Sequence, residues 1–413
     1  MTNTRAIALL ILVLACTVRL FVVVPRADVP VKSVDQTEYL ALGQNLRQHG
    51  VFSYGMPHRW GDRGMIDAPG PYEPSAARAP FYPLVIALLW NEPGPPVQAI
   101  RVAQAVMGGL VALFVYLIAL RAFGPGTAVV AGLAMALAPH SIYLTTLILT
   151  ETLFSFLLTA GFWLWGRQQG LLAGLAIGAA TLTRAVALPF VAVIALMALF
   201  LRFNRGLHAR IALAAVVVIA PWTVRNVVTQ DAFIPVASMG WGANVLMGTF
   251  DVPYGASDLW ERAHADPAFR TIIETSPTER EAEGRMMAEG LRRIREAPFD
   301  WLAVRFKQYP RLFLGAPHYI YGSVPLPASI VKAAFLLGNL AFVALATWGL
   351  ATSWTRWRDT YPLALFLVLI AVLQFPALTE QRYSLGMVPA MAVFAAHAVA
   401  GIARLLSSRR APA

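Results

Sequence analysis

A small set of charged and aromatic residues stands apart in a mostly apolar chain, and their types point to acid–base and phosphate chemistry. Glu151 lies in the run TTLILTETLFSFLL with apolar neighbours on both sides. Charge inside a membrane segment is costly, which makes it a functional candidate; a carboxylate opening a helix near an interface carries the same signature. Arg184, in TLTRAVALPF, has no acid nearby in sequence. An unpaired guanidinium there suits an anionic ligand, because its fork meets a phosphate with two N–H groups, while snorkelling to lipid headgroups is the plainer use. Asp35 and Glu38, in SVDQTEY, open a helix-like pattern through Tyr39, Leu40, Leu42, Gly43 and Leu46. An Asp in a first turn serves as a base or only as a cap. Arg78 sits in the stiff segment RAPFYP together with Tyr82, ahead of an apolar run. Pro221–Asn226 (PWTVRN) and Glu380–Tyr383 (EQRY) add Arg225, Asn226, Arg382 and Tyr383, as local ion pairs or as interfacial anchors. The histidines are scattered without metal-ligand spacing, His58 and His140 being the two worth testing. No phosphate-cradling glycine loop, GxSxG or HExxH occurs.

The elements that must position these residues are membrane helices. Of 413 residues, 58% are hydrophobic and 13% charged, against roughly 45–50% and about 25% in soluble domains, which argues against a water-soluble enzyme. Apolar runs occur at Ala6–Val24, Val97–Leu120, Gly126–Ala138, Ile142–Trp165, Leu171–Ala180, Leu188–Leu201, Ile211–Val224, Ile330–Leu350, Tyr361–Phe375 and Tyr383–Leu405. The expected fold is therefore an all-α polytopic membrane protein with about ten transmembrane helices and two outer-face segments. The organisation reads as a first span (1–24), an outer loop with interfacial helices (25–96), a transmembrane core (97–226), an outer helical segment (227–329) and C-terminal spans (330–413). The two outer segments hold every acid except Glu151, Asp359 and Glu380.

The net charge is +11, and only Lys32, Lys307 and Lys332 among the bases are lysine. In a soluble chain this balance would suggest nucleic acid; here it reports orientation and implies no nucleic-acid partner. Alternating spans place Arg5, Arg121, Arg167, Arg202, Arg205, Arg210, Arg356, Arg358, Arg404, Arg409 and Arg410 on one face, the cytoplasmic one by the positive-inside rule. Arg184, Arg382 and both long segments then face outward. The same parity makes 170–201 a hairpin turning near Arg184, its first arm on the order of 20 Å long. That length leaves the turn below the outer membrane surface. Phe299–Tyr319 reads as an interfacial helix, and Ser276-Pro277-Thr278-Glu279 as a capping box opening a helix to about Glu296. Cys16, the single cysteine, rules out an intramolecular disulfide and a cysteine-based zinc site. The apolar run continuing past it to Val24 reads as an uncleaved first helix.

Taken in order, Asp35-Gln36-Thr37-Glu38-Tyr39 with Gly50-Val51-Phe52, Arg78 to Pro83, Thr150-Glu151, Leu182-Thr183-Arg184, Pro221-Trp222 with Arg225-Asn226, and Glu380 with Arg382-Tyr383 resemble a known family. The chain is similar to the polyprenyl-phosphate-sugar-dependent glycosyltransferases of the GT-C fold, in the branch of protein O-mannosyltransferases and the lipid A aminoarabinose transferase. The resemblance implies a catalytic acid at Asp35, with Glu38 and Glu151 as acids near the acceptor or a metal. It implies donor-phosphate ligands at Arg78, Arg184 and Arg382, and a substrate pocket including Tyr39, Tyr82, Arg225, Asn226 and Tyr383. Ala79 stands where the family's element carries proline. The implied partners are a polyprenyl-phosphate sugar donor, a lipid, glycan or protein acceptor, and the bilayer. The implied place is a bacterial cytoplasmic (inner) membrane, with the active site facing outward. No cofactor follows, and a divalent metal among Asp35, Glu38 and Glu151 stays open. The competing readings are a membrane transporter or lipid flippase, with internal repeats and charges near the midplane, and a ligase or polymerase of lipid-linked glycans.

Overall fold

A computed structural model of the chain describes residues 2–26, 31, 33–55, 66–91, 94–252, 259–314 and 327–408. His58, Arg409, Arg410 and the end of the Phe299–Tyr319 segment lie outside the described residues. Among the described residues the regular structure is helical, with no strand, as an all-α polytopic chain requires. Five segments there are long and apolar enough to cross a membrane: Thr4–Arg26, Val97–Phe123, Arg205–Gln230, Ala328–Gln374 and Val388–Ser407.

In chain order, α1 (Thr2–Val23) leads to α2 (Val34–His49) and α3 (Phe81–Leu89). The core follows as α4 (Val97–Phe123), α5 (Pro125–Ala136), α6 (Pro139–Leu144), α7 (Glu151–Gly166), α8 (Gly170–Thr183), α9 (Leu188–Phe200) and α10 (Arg205–Gln230). The stretch after α10 is built from α11 (Trp241–Met247), α12 (Leu259–Ala265), α13 (Pro267–Thr275), α14 (Glu279–Glu296), α15 (Pro298–Gln308) and α16 (Arg311–Leu314). The chain then forms α17 (Ala328–Thr352), α18 (Trp357–Gln374) and α19 (Val388–Ser408). The main core joins α1, α4, α5, α7, α8, α9, α10, α17, α18 and α19, while a separate apolar cluster centred on Leu246, Phe269 and Met286 holds α11 to α14 together.

Four boundaries differ from the sequence reading. The run Ile142–Trp165 is two helices separated by Thr145–Thr150, where threonine and β-branched residues replace good helix formers. The last span begins at Val388 rather than Tyr383, which lies in a short 3₁₀ turn (Gln381–Ser384). The cap of α14 is Thr278, whose side chain accepts from the Glu281 N–H, while Ser276 accepts from Arg285 instead. The segment expected as one interfacial helix breaks after Gln308. It exposes Phe299 and Phe306 but buries Arg305, which donates to the carbonyls of Phe375 and Gly248 and to Thr379 Oγ1.

The break before α7 is stitched by polar side chains. Arg101 Nε donates to Thr146 O (2.8 Å), Gln104 Nε2 to Leu147 O (2.7 Å), and the Ile148 N–H to Gln36 Oε1 (2.9 Å). Arg19, fully buried within α1, likewise donates to the carbonyls of Met135 and Ala136 at the end of α5. Irregular backbone at membrane depth survives only where protein groups replace water as partners, and these side chains provide them.

Helices α8 and α9 are short, 14 and 13 residues, or about 20 Å each at 1.5 Å per residue. Arg184 sits where α8 ends, in extended backbone. Close packing fixes the body of α8 against α10: a Cβ added at Gly174 would stand 2.3 Å from the Ile211 carbonyl oxygen of α10, and one at Gly178 would stand 2.9 Å from that of Ala215. Small residues let helix backbones approach this closely. Gly174→Ala is expected to push α8 off α10 at a cost of about 1–3 kcal/mol. The detergent-unfolding midpoint should fall, whereas Gly126→Ala, where nothing lies within 4 Å, leaves it unchanged.

Candidate active site

Helix α2 opens with Val34 after Ser33, so Asp35 occupies its first turn and points its carboxylate at two arginines from distant parts of the chain. Arg78 Nη2 donates to Asp35 Oδ1 (2.7 Å), and Arg382 Nη1 donates to Oδ2 (2.7 Å). Arg78 also donates through Nε to Glu38 Oε2 (2.9 Å), one helical turn from Asp35, and the Glu38 side chain is only 4% exposed. Arg382 Nε lies 2.8 Å from Glu380 Oε2 but off the N–H line, an ion contact rather than a hydrogen bond. Each guanidinium rests on a ring, Arg78 5.5 Å from the Tyr39 centroid and Arg382 5.3 Å from that of Tyr383. Stacking of this kind fixes the guanidinium plane and leaves its N–H edge for anions.

A second pair lines the same cavity. Glu151 is the first residue of α7, and Arg184 Nη1 meets its Oε1 at 2.8 Å and donates to Thr150 Oγ1 at 2.9 Å. This corrects the picture of an arginine without an acid: its partner lies 33 positions earlier and arrives by folding. Burial by itself raises the Asp35 pKa, but the charges and hydrogen bonds of Arg78 and Arg382 outweigh it and hold the carboxyl well below the usual range.

Asp35, Tyr39, Arg78, Glu151, Arg184, Arg382 and Tyr383 line one cavity of about 180 Å³. That is smaller than the roughly 300–1,000 Å³ of drug-sized ligand pockets, so it suits a compact polar headgroup better than a whole amphiphile. Tyr82, Arg225 and Asn226 stand outside its wall. Tyr82 is buried edge-on to Tyr39 and donates to Gln104 Oε1 (2.9 Å). Arg225 donates to Ser75 O and stacks 4.7 Å from the Trp222 ring centroid, and Asn226 Nδ2 donates to Ile234 O (2.9 Å). Tyr82 thus ties α3 to α4, and Arg225 and Asn226 tie α10 to neighbouring loops, their polar atoms meeting Gln104 and backbone carbonyls. Trp241 and Asn244, on the far wall, belong to α11. Its N-terminus is gripped by Glu283 of α14, which accepts from the N–H groups of Gly242 (2.7 Å) and Ala243 (3.2 Å).

Gln36 and Gln104 escape a search for charge, yet they hold the strand of backbone that presents Thr150 and Glu151. A glutamine within an apolar span is the signal that would have found Gln104. His140 is half-buried and lies outside the cavity wall. Among the described residues no group of three or more His, Cys, Asp or Glu side chains stands close enough to hold a metal ion. Both Asp35 oxygens are already engaged by guanidinium groups.

Residues 77–225 match the family model described as dolichyl-phosphate-mannose-protein mannosyltransferase. No curated protein sequence matches the chain. Among solved structures, the apo oligosaccharyltransferase of Archaeoglobus fulgidus aligns with a TM-score of 0.55 at 14% identity, over 98% of this chain and 51% of that one. The Archaeoglobus fulgidus oligosaccharyltransferase AglB in complex with an inhibitory peptide and a dolichol-phosphate aligns at 0.50 and 14%, over 98% and 52%. ArnT from Cupriavidus metallidurans bound to undecaprenyl phosphate aligns at 0.43 and 15%, over 100% and 81%. The chain thus spans about half the length of the oligosaccharyltransferase chains, and likeness at this identity concerns the fold.

Proposed function

We propose that this chain, which has the GT-C membrane fold and matches the mannosyltransferase family model over residues 77–225, is an integral membrane glycosyltransferase. It moves a sugar from a polyprenyl-phosphate donor to a hydroxyl on a lipid, glycan or protein acceptor, at the outward face of a bacterial cytoplasmic membrane. The observation that carries this reading is Asp35 held between Arg78 and Arg382, in a cavity that the Arg184–Glu151 pair also lines.

A sugar on a lipid phosphate already has a good leaving group, so one base suffices and no acid need protonate the departing oxygen. Asp35 takes the acceptor hydroxyl's proton as its oxygen bonds to the anomeric carbon. The carbon–oxygen bond to phosphate breaks with its electron pair on the phosphate, which leaves as the lipid monophosphate. Arg78 uses Nε and Nη2 and Arg382 uses Nη1 in the contacts described. Their remaining N–H groups are available for the charge that develops on the phosphate. As the phosphate draws the guanidiniums toward itself, Asp35 is released from the pairing that makes it a weak base. The headgroup-sized cavity favours a single sugar over block transfer of a large glycan.

A single displacement inverts the anomeric centre. Purified protein incubated with a panel of polyprenyl-phosphate sugars and hydroxyl acceptors should consume one donor and release polyprenyl phosphate. The product's anomeric proton coupling, read by NMR, should report inversion. Retention of configuration would eliminate the one-step mechanism, and failure to consume any donor would remove the assignment.

A further inference from the structure

A second cavity, of about 240 Å³, opens at the opposite, arginine-rich end of the bundle, where α4 and α7 finish and α10 and α18 begin. Tyr116 hydroxyl donates to Thr4 O, so the start of α1 is drawn to the side of α4 that leads to this end. Arg121, Arg167 and Arg358 reach the cavity, against one carboxylate, Asp359, which lies 3.5 Å from Arg121 Nε. Arg167 and Arg358 form no ion pair among the described residues. Instead the Arg167 guanidinium lies 5.2 Å from the Trp163 ring centroid. That of Arg358 lies 5.6 and 5.7 Å from those of Trp357 and Phe203. The floor is fixed by a polar relay in which Trp165 Nε1 donates to the Tyr361 hydroxyl (3.0 Å), itself 2.8 Å from His208 Nε2. Two guanidiniums seated over rings, with no ion pair or side-chain hydrogen bond among the described residues, leave their N–H groups free for an anion.

The rest of the wall says which anion. Leu117, Leu120, Phe162 and Leu363 line the same cavity, an apolar surface that a free inorganic ion would not need. Exposed Phe200, at the end of α9, and exposed Trp354, in the turn between α17 and α18, lie four positions from the lining residues Asn204 and Arg358. Aromatic residues of this kind mark the level of lipid headgroups. We propose that this cavity binds the phosphate headgroup of an anionic phospholipid from the leaflet at the arginine-rich face, with acyl chains against its leucine wall. This site is separate from the sugar-transfer cavity and does not depend on the activity assigned there.

The test uses the full chain in nanodiscs of phosphatidylcholine carrying a minor fraction of phosphatidylglycerol, with retained lipid counted by native mass spectrometry. Wild-type protein should retain phosphatidylglycerol in preference to phosphatidylcholine. Arg167→Gln/Arg358→Gln should weaken that retention about tenfold or more, since charge-assisted hydrogen bonds are lost. Arg404→Gln, a cation outside the cavity, should retain it as wild type does. Arg167→Lys/Arg358→Lys should recover part of it, which separates charge loss from misfolding. Inorganic phosphate at the lipid's concentration should not compete. Equal retention by wild type and the double glutamine variant would overturn the proposal, as would a wild type that does not discriminate between the lipids. Competition by inorganic phosphate would replace the lipid with a soluble anion and overturn it equally.

Discussion

Asp35→Asn should lower the transfer rate by about 100- to 10,000-fold, the contribution of a positioned general base, without loosening the lipid phosphate. The structure explains why the effects separate. With Asp35 neutral, Arg78 keeps its hydrogen bonds to Glu38 and Arg382 keeps its contact with Glu380, so neither cation is stranded. One fewer carboxylate also competes for the phosphate, and donor affinity should hold or rise while kcat falls. Single-turnover rates beside equilibrium binding of polyprenyl phosphate resolve the two. Undiminished transfer by Asp35→Asn would strip Asp35 of its role. The pH dependence carries the same signature. The lowered pKa means that the stabilisation from this pairing is complete above the ordinary carboxylate value of about 3.9, and is lost only as pH falls through the lower folded value. Asp35 therefore produces no acid limb in kcat/KM between pH 8 and 5, and a limb near neutrality would identify a different base.

Arg78→Ala is expected to be the most destabilising single change in the cavity. It takes the paired guanidinium away from Glu38, whose side chain is 4% exposed, and removes half of the support for Asp35. Removing one partner of a buried pair costs about 3–5 kcal/mol, because the remaining charge keeps its desolvation penalty. Glu38→Gln placed on top of Arg78→Ala should recover most of the loss in denaturation midpoint, since a neutral amide tolerates the burial. Arg78→Lys should recover little, as one ammonium cannot reach Asp35 and Glu38 in the geometry of the fork. A wild-type midpoint for Arg78→Ala would mean that the pairing contributes nothing to the fold.

The helical, membrane-spanning architecture was legible because apolar length is a strong signal, and each apolar run contains a helix. What escaped was where helices stop. The break at Thr145–Thr150 contains neither proline nor glycine, and it persists because Gln36, Arg101 and Gln104 satisfy its backbone from other helices. Pairing that closes over long stretches of chain leaves no local trace: Arg184 looked alone because Glu151 lies in another helix, and Arg382 meets Asp35 across 347 positions. Arg19 and Arg101 sat inside apolar runs and passed as parts of spans, although each binds carbonyls that a helix end leaves free. Tyr82, Arg225 and Asn226 show the reverse. They stand in motifs beside cavity residues, and their polar atoms meet Gln104 or backbone carbonyls.

The arms of α8 and α9, about 20 Å each, face a hydrocarbon slab about 30 Å thick. Where this hairpin meets lipid, the bilayer has to thin, or water and headgroups have to dip toward Arg184. Either adjustment has an elastic cost that grows with acyl-chain length. The protein should therefore run fastest in short-chain bilayers and sort toward thin patches of membrane. The local dimple would also bring the phosphate of a long-chain isoprenoid down to the level of the cavity, so membrane mechanics becomes part of how substrate is delivered.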